Sequence, residues 1–143
     1  MIALVLGALV GAAAALVYFT GRPPEGPVEV DWDREVCARC RMHVSERAFA
    51  AQLQTEDGQV LVFDDPGCAF LYLEESPEVR VHALYFQHVE EDRWIPQEEV
   101  AFVPVEHSPM GYGLGAVTRG TEGALSLEDA RARVQAVAAR LSP

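Results

Sequence analysis

The chain is 143 residues long and carries a formal net charge of −11, from 11 Lys plus Arg against 22 Asp plus Glu. That length suits one small domain, and a hydrophobic content of 50% excludes a disordered chain. The acid surplus repels phosphate backbones and argues against a nucleic-acid partner, while 3 cysteines are too few, and odd in number, for a disulfide-stapled scaffold.

Ile2 to Phe19 is an uncharged, mostly apolar run. As a helix it would be about 27 Å long, just enough for a bilayer core of about 30 Å. Tyr18 and Phe19 fall where an interfacial aromatic belt belongs, and no small-x-small cleavage site follows. Residues 1–20 are therefore expected to form an uncleaved transmembrane anchor rather than a signal peptide. Gly21-Arg22-Pro23-Pro24-Glu25-Gly26-Pro27 opens a stiff linker, expected over residues 21–35. Arg22 and Glu25 cancel, so the part beyond Pro27 keeps the whole −11.

Val28 to Val36 is acidic and extended in character. Phe49 to Thr55 alternates, with Phe49, Ala51 and Leu53 on one side of a strand and Ala50, Gln52 and Gln54 on the other. Asp57-Gly58 is a type I′ hairpin signal, and Val60 to Phe63 is the returning strand. Asp65 is a good helix N-cap and Pro66 fits the first helical position, so a helix is expected from there to before Ser76-Pro77. Strands are expected over Val79 to Val89, Val100 to Val105 and Gly115 to Thr118. Ser126 caps a last helix ending at Leu141, with Asp129 as its capping-box partner and Leu127, Ala130, Val134, Val137, Ala138 and Leu141 on one apolar stripe. The order predicts an α+β fold: two β-β-α(-β) halves forming one small domain over residues 36–143, the second half ending early.

Soft donors concentrate in Cys37-Ala-Arg-Cys40-Arg-Met42-His43, which offers two thiols, a thioether and an imidazole. Such donors select Cu(I), or zinc when thiolates reach four or pair with His. Cys68 stands at the third position of the first predicted helix, where backbone N–H groups favour a thiolate, although a buried small hydrophobe is an equally good reading. A second candidate is His107-Ser-Pro-Met110-Gly111, a Pro- and Gly-flanked loop that can present Met110 and His107 rather than pack them. Asp64 and Asp65 are better explained by helix capping than by acid–base chemistry.

The succession Cys37-x-x-Cys40-x-Met42, Phe49-Ala-Ala-Gln52, Asp57-Gly58, Phe63-Asp-Asp-x-Gly-Cys68, Trp94 and Pro109-Met110-Gly111 resembles the NosL family. These are membrane-tethered or lipoprotein copper-binding proteins associated with nitrous oxide reductase assembly. The resemblance spans roughly Val36 to Leu141 and implies a pair of β-β-α-β halves, Cu(I) binding, and delivery on the extracytoplasmic (periplasmic) side to an apo-enzyme such as nitrous oxide reductase or to its maturation complex. It implies Cys40 as the thiolate, Met42 as the Met of a Cys-Gly-Met motif and Met110 as the Met of a later Met-Gly motif. On the residues themselves, Cys37, Cys68 or His107 is expected to complete the site, and Cys68 to count for less than Cys40 because packing at the helix start explains it as well. Arg41 stands where the family has Gly, and the anchor is a helix without a lipidated Cys.

The chain thus reads as a non-enzymatic, membrane-anchored Cu(I) metallochaperone. Two rivals remain: a thiol–disulfide oxidoreductase using Cys37-x-x-Cys40, and an assembly or adaptor protein with a structural zinc.

Overall fold

The computed structural model describes residues 21–141. The anchor expected over residues 1–20 lies outside them; among the described residues no helix is long and apolar enough to cross a membrane. The elements in chain order are β1 (Ala51–Thr55), β2 (Val60–Phe63), α1 (Pro66–Glu75), β3 (Val81–Gln87), β4 (Trp94–Pro96), β5 (Val100–Pro104), β6 (Leu114–Thr118) and α2 (Leu127–Leu141), with a 3₁₀ turn at Arg47–Phe49 before β1. The α+β expectation holds, with strand–strand–helix–strand followed by strand–strand–helix. The one addition is β4, whose three residues are too few to show a period of two.

The first half is an antiparallel sheet of order β2-β1-β3-β4, and the second is the β5-β6 hairpin. β1 is central and buried along its whole length, which is why its two glutamines do not reach solvent. The β1–β2 connection differs from the two-residue type I′ turn expected. Thr55 pairs with Gln59, the Gly58 N–H donates to the Thr55 carbonyl at 3.0 Å, and only Gly58 has positive φ, at 86°. Type I′ needs two residues at positive φ, and Asp57 stays outside that region while its carboxylate bonds the Thr55 hydroxyl. The loop therefore takes three residues, with glycine alone in the left-handed position.

Asp65 caps α1 as expected, its Oδ1 accepting from the Gly67 N–H at 2.8 Å with Pro66 in the first turn. Ser126 caps α2: its hydroxyl accepts from the Asp129 N–H at 3.1 Å and donates to the Asp129 carboxylate at 2.7 Å. Ala130 and Val134 carry the buried stripe of α2. The halves join on three buried rings: Phe70 of α1, Phe86 of β3 and Phe102 of β5, with centroids 5.5, 5.5 and 5.1 Å apart. Tilted and edge-on pairs of this kind add about 0.5–1.5 kcal/mol each beyond the area they bury.

Part of the segment expected to be a stiff linker is docked on the domain. Gln52 clasps the Val28 backbone from both sides, its Oε1 accepting from the Val28 N–H at 2.7 Å and its Nε2 donating to the Val28 carbonyl at 2.9 Å. Gln54 Nε2 donates to the Gly26 carbonyl at 2.6 Å. Val30 is buried in the core, and Trp32 takes the Arg47 guanidinium 4.9 Å above its ring. Residues 26–30 thus lie against the sheet held by side chains rather than by strand pairing. Gln52→Ala removes two hydrogen bonds and a fully buried side chain, and should cost roughly 2–3 kcal/mol. Amide exchange is the sharper measure: the Val28 N–H should lose protection while the β1 and β3 amides keep theirs.

Candidate metal centre

Cys37 and Cys40 sit on a tight reversal that precedes the first strand. Val36 pairs with His43, the Cys37 N–H donates to the Met42 carbonyl at 2.8 Å, and the Arg41 N–H donates to the Cys37 carbonyl at 3.1 Å. The Ala38 N–H donates to the Val62 carbonyl at 2.9 Å and fastens the loop to β2. Arg39 fastens its other side: its guanidinium reaches Glu75 at the end of α1, at 2.7 Å at its shortest, and the Tyr112 hydroxyl at 3.3 Å.

β2 delivers the third thiol. The strand ends at Phe63, Asp64 and Asp65 turn the chain, and Cys68 lies in the first turn of α1. The Sγ atoms of Cys37, Cys40 and Cys68 all lie within 4.8 Å of one another. All three cysteines are free; Cys37 and Cys68 are fully buried and Cys40 is partly exposed. Cys68 therefore faces the same small volume as Cys40 while also packing in the core.

The three thiols differ electrostatically. The Cys68 thiol donates to Cys37, and backbone N–H groups of Cys40, Asp64 and Arg39 add to it, so despite burial Cys37 is lowered to about 5. Cys68, bonded to that thiolate and buried, is pushed far up. Burial above all raises Cys40 to about 11. At neutral pH the cluster is one thiolate and two thiols. Beside it stands Asp64, 2% exposed, with the Cys40 thiol 3.9 Å from its Oδ1. Burial first, then the Cys37 thiolate and Asp65, raises Asp64 to about 6. Asp64 was not a sequence candidate; the signal available was two consecutive acids where one suffices to cap a helix.

The Met110 loop is brought to the same corner by Asp65. While one carboxylate oxygen caps α1, the other accepts from the Met110 N–H at 3.1 Å. The loop is seated further by Tyr112, whose ring covers Gly67 so closely that a Cβ there would lie 2.2 Å from it. Only glycine fits under that ring. Met110 is half-buried against the core, and Met42 is 51% exposed, lining a cleft with Asp64 and Pro109. His107 points to solvent beside Glu106 and does not join the thiol group. A cleft of about 440 Å³ lies at the opposite end of the β1–β2 hairpin and holds no Cys, Met or His.

Three thiols in one small volume suit a soft ion in trigonal coordination, and no His among the described residues comes close enough to complete a closed Cys₃His set. As a redox pair, Cys37 and Cys40 are poorly placed. The low-pKa member, Cys37, is sealed from solvent, where an oxidoreductase exposes it to attack a substrate disulfide.

No protein-family model and no curated protein matches the chain. Among solved structures, the fold is similar to the crystal structure of the copper chaperone NosL from Shewanella denitrificans, with a TM-score of 0.55, 22% sequence identity, and coverage of 80% of this chain and 89% of that one. This shared fold is the one that the motif succession led the sequence to resemble.

Arg41 has φ 67°, the left-handed region in which a side chain costs about 1–2 kcal/mol and glycine costs nothing. The backbone thus takes a glycine-like shape without glycine. Arg41→Gly should raise the denaturation midpoint, with a net gain of up to about 1 kcal/mol once the extra freedom of the unfolded chain is subtracted. Arg41→Ala, which keeps the Cβ, should give no such gain.

Proposed function

We propose that this protein is a membrane-anchored, extracytoplasmic metallochaperone that binds Cu(I) and hands it to a copper enzyme, of which nitrous oxide reductase is the expected example. The observation that carries the proposal is the convergence of three free thiols within 4.8 Å, two of them sealed from water, in a fold shared with a copper chaperone. Cys37, Cys40 and Cys68 supply the thiolates, and the Met110 loop, held by Asp65 at the start of the helix that bears Cys68, supplies a thioether. Thiolate and thioether sulfur favour Cu(I) over harder ions, and an incomplete shell leaves room for an acceptor's ligand.

Anaerobic titration against a Cu(I) chelator tests this directly. The wild-type chain should bind one Cu(I), and each Cys→Ser change should weaken binding by about 100-fold, on the scale of structural zinc sites, which total about 10–16 kcal/mol over their ligands. Protons compete with the metal. Cys40 and Cys68 hold theirs at neutral pH and Cys37 does not, so loading should release two, one from each. Affinity should then rise with pH by about 100-fold per unit around pH 7 and fall on acidification. Met110→Leu should leave apo unfolding within about 1.5 kcal/mol of wild type and weaken Cu(I) binding. Co-purifying zinc with no Cu(I) uptake would favour the adaptor reading instead.

The topology rests on the apolar run from Ile2 to Phe19. A reporter fused after Pro143 should be active only when it requires export; activity of a cytoplasm-only reporter would reverse the topology.

A further inference from the structure

Building on the Cu(I) reading above, we propose that metal enters and leaves the thiol cluster through the cleft between Met42 and Pro109, and that this cleft is where an acceptor protein inserts a soft side chain of its own. Of the three thiols only Cys40 is partly exposed; Cys37 and Cys68 have none of their surface open to solvent. The cluster is therefore reached from the side of Cys40. On that side Cys40 touches Asp64, and Asp64 lines a cleft of about 150 Å³ together with Met42, His43, Ser45, Glu46 and Pro109. Its volume admits one side chain and its walls match a soft cation in transit. Glu46 and Asp64 draw positive charge inward, while Met42 and His43 offer neutral donors at the mouth.

Met42 is one of three large hydrophobic side chains exposed among the described residues, at 51%. Its backbone is fixed from below, because its carbonyl accepts the Cys37 N–H. A thioether that is neither packed nor free to withdraw is placed to take Cu(I) from Cys40 and pass it on. Pro109, on the far wall, belongs to the loop that Asp65 ties down through Met110. The Pro109 wall is thus anchored to the start of α1 and the Met42 wall to the Cys37 loop, and the cleft does not depend on a mobile lid.

The exchange is ligand substitution with no change of oxidation state. A Cu–S or Cu–N bond to the incoming side chain forms as a Cu–S bond to a buried cysteine breaks, and the freed thiolate takes a proton from water. The acceptor that fits presents a Met, His or Cys on a protruding loop within a basic surface, since the chain carries −11 and the cleft itself holds two carboxylates.

The test separates route from affinity. Ser45→Trp fills the cleft from its rim without altering any residue assigned to the metal; Glu78→Trp, on the 440 Å³ cleft at the other end of the hairpin, is the control. Stopped-flow removal of Cu(I) from the full chain by a small chelator should slow by at least about 10-fold in Ser45→Trp, with equilibrium affinity within about 3-fold of wild type and Glu78→Trp unchanged. Ser45→Leu, a smaller filling of the same rim, should also slow removal and serves if the tryptophan variant does not fold. Unslowed exchange at wild-type affinity in a folded Ser45→Trp, or in Ser45→Leu where that variant is used, overturns the route alone. Loss of affinity in Ser45→Trp also overturns it, because the cleft would then be the site rather than its entrance. A wild-type chain that takes up no Cu(I) overturns the proposed function and the route together.

Discussion

The Asp65 carboxylate is buried, and each of its oxygens binds a different part of the chain: one accepts from the Gly67 N–H at the start of α1 and the other from the Met110 N–H in the β5–β6 loop. Almost everything at the candidate metal centre depends on this joint. It fixes the first turn of α1, and with it the direction in which Cys68 enters the cluster. It also pulls a loop 45 residues away onto that same turn. A buried carboxylate is costly unless its lone pairs are used, and here the Ser108 hydroxyl adds a third bond. Burial still raises its pKa, so the joint remains sensitive to what surrounds it.

Around this joint the protein gathers groups that become anionic when they lose a proton. Cys37 is held as a thiolate by hydrogen bonds, while Cys40, Cys68 and Asp64 are all raised by burial or by one another. Arg39 bonds Glu75 and Tyr112 and clamps the loop, with Cys68 close enough to add to its electrostatics. Four groups that each gain from a positive charge, sealed on two sides and open at Cys40, make a site whose electrostatic deficit a soft cation would relieve. The strain in Arg41 belongs to the same construction, since the left-handed residue lets the chain reverse tightly enough to place Cys37 and Cys40 side by side.

The docked segment at residues 26–30 shows a different economy. Central strands usually pack apolar side chains on both faces, yet Gln52 and Gln54 are wholly buried in β1 because the incoming chain supplies backbone groups for them to bond. The segment leading into the domain is thereby part of it.

Local signals carried the elements. Alternation over residues 49–55, the Asp65-Pro66 start of α1 and the Ser126–Asp129 cap all act within a few residues; both helix starts formed as the sequence predicts, and the strand formed from Ala51, with Phe49 in the 3₁₀ turn before it. Composition and motif order likewise pointed to soft-metal chemistry through Cys37, Cys40 and the loop of Met110. The three-residue hairpin loop and the three-residue β4 escaped because a single torsion angle and a strand shorter than two periods leave almost no pattern. What only the tertiary structure decided was membership of the site. Cys68 joined Cys37 and Cys40, Asp64 emerged beside Cys40, His107 turned outward and residues 26–30 docked on two glutamines. Each of these depends on how parts far apart in the chain close against one another, and no local spacing encodes which side chains that closure brings face to face and which it leaves in solvent.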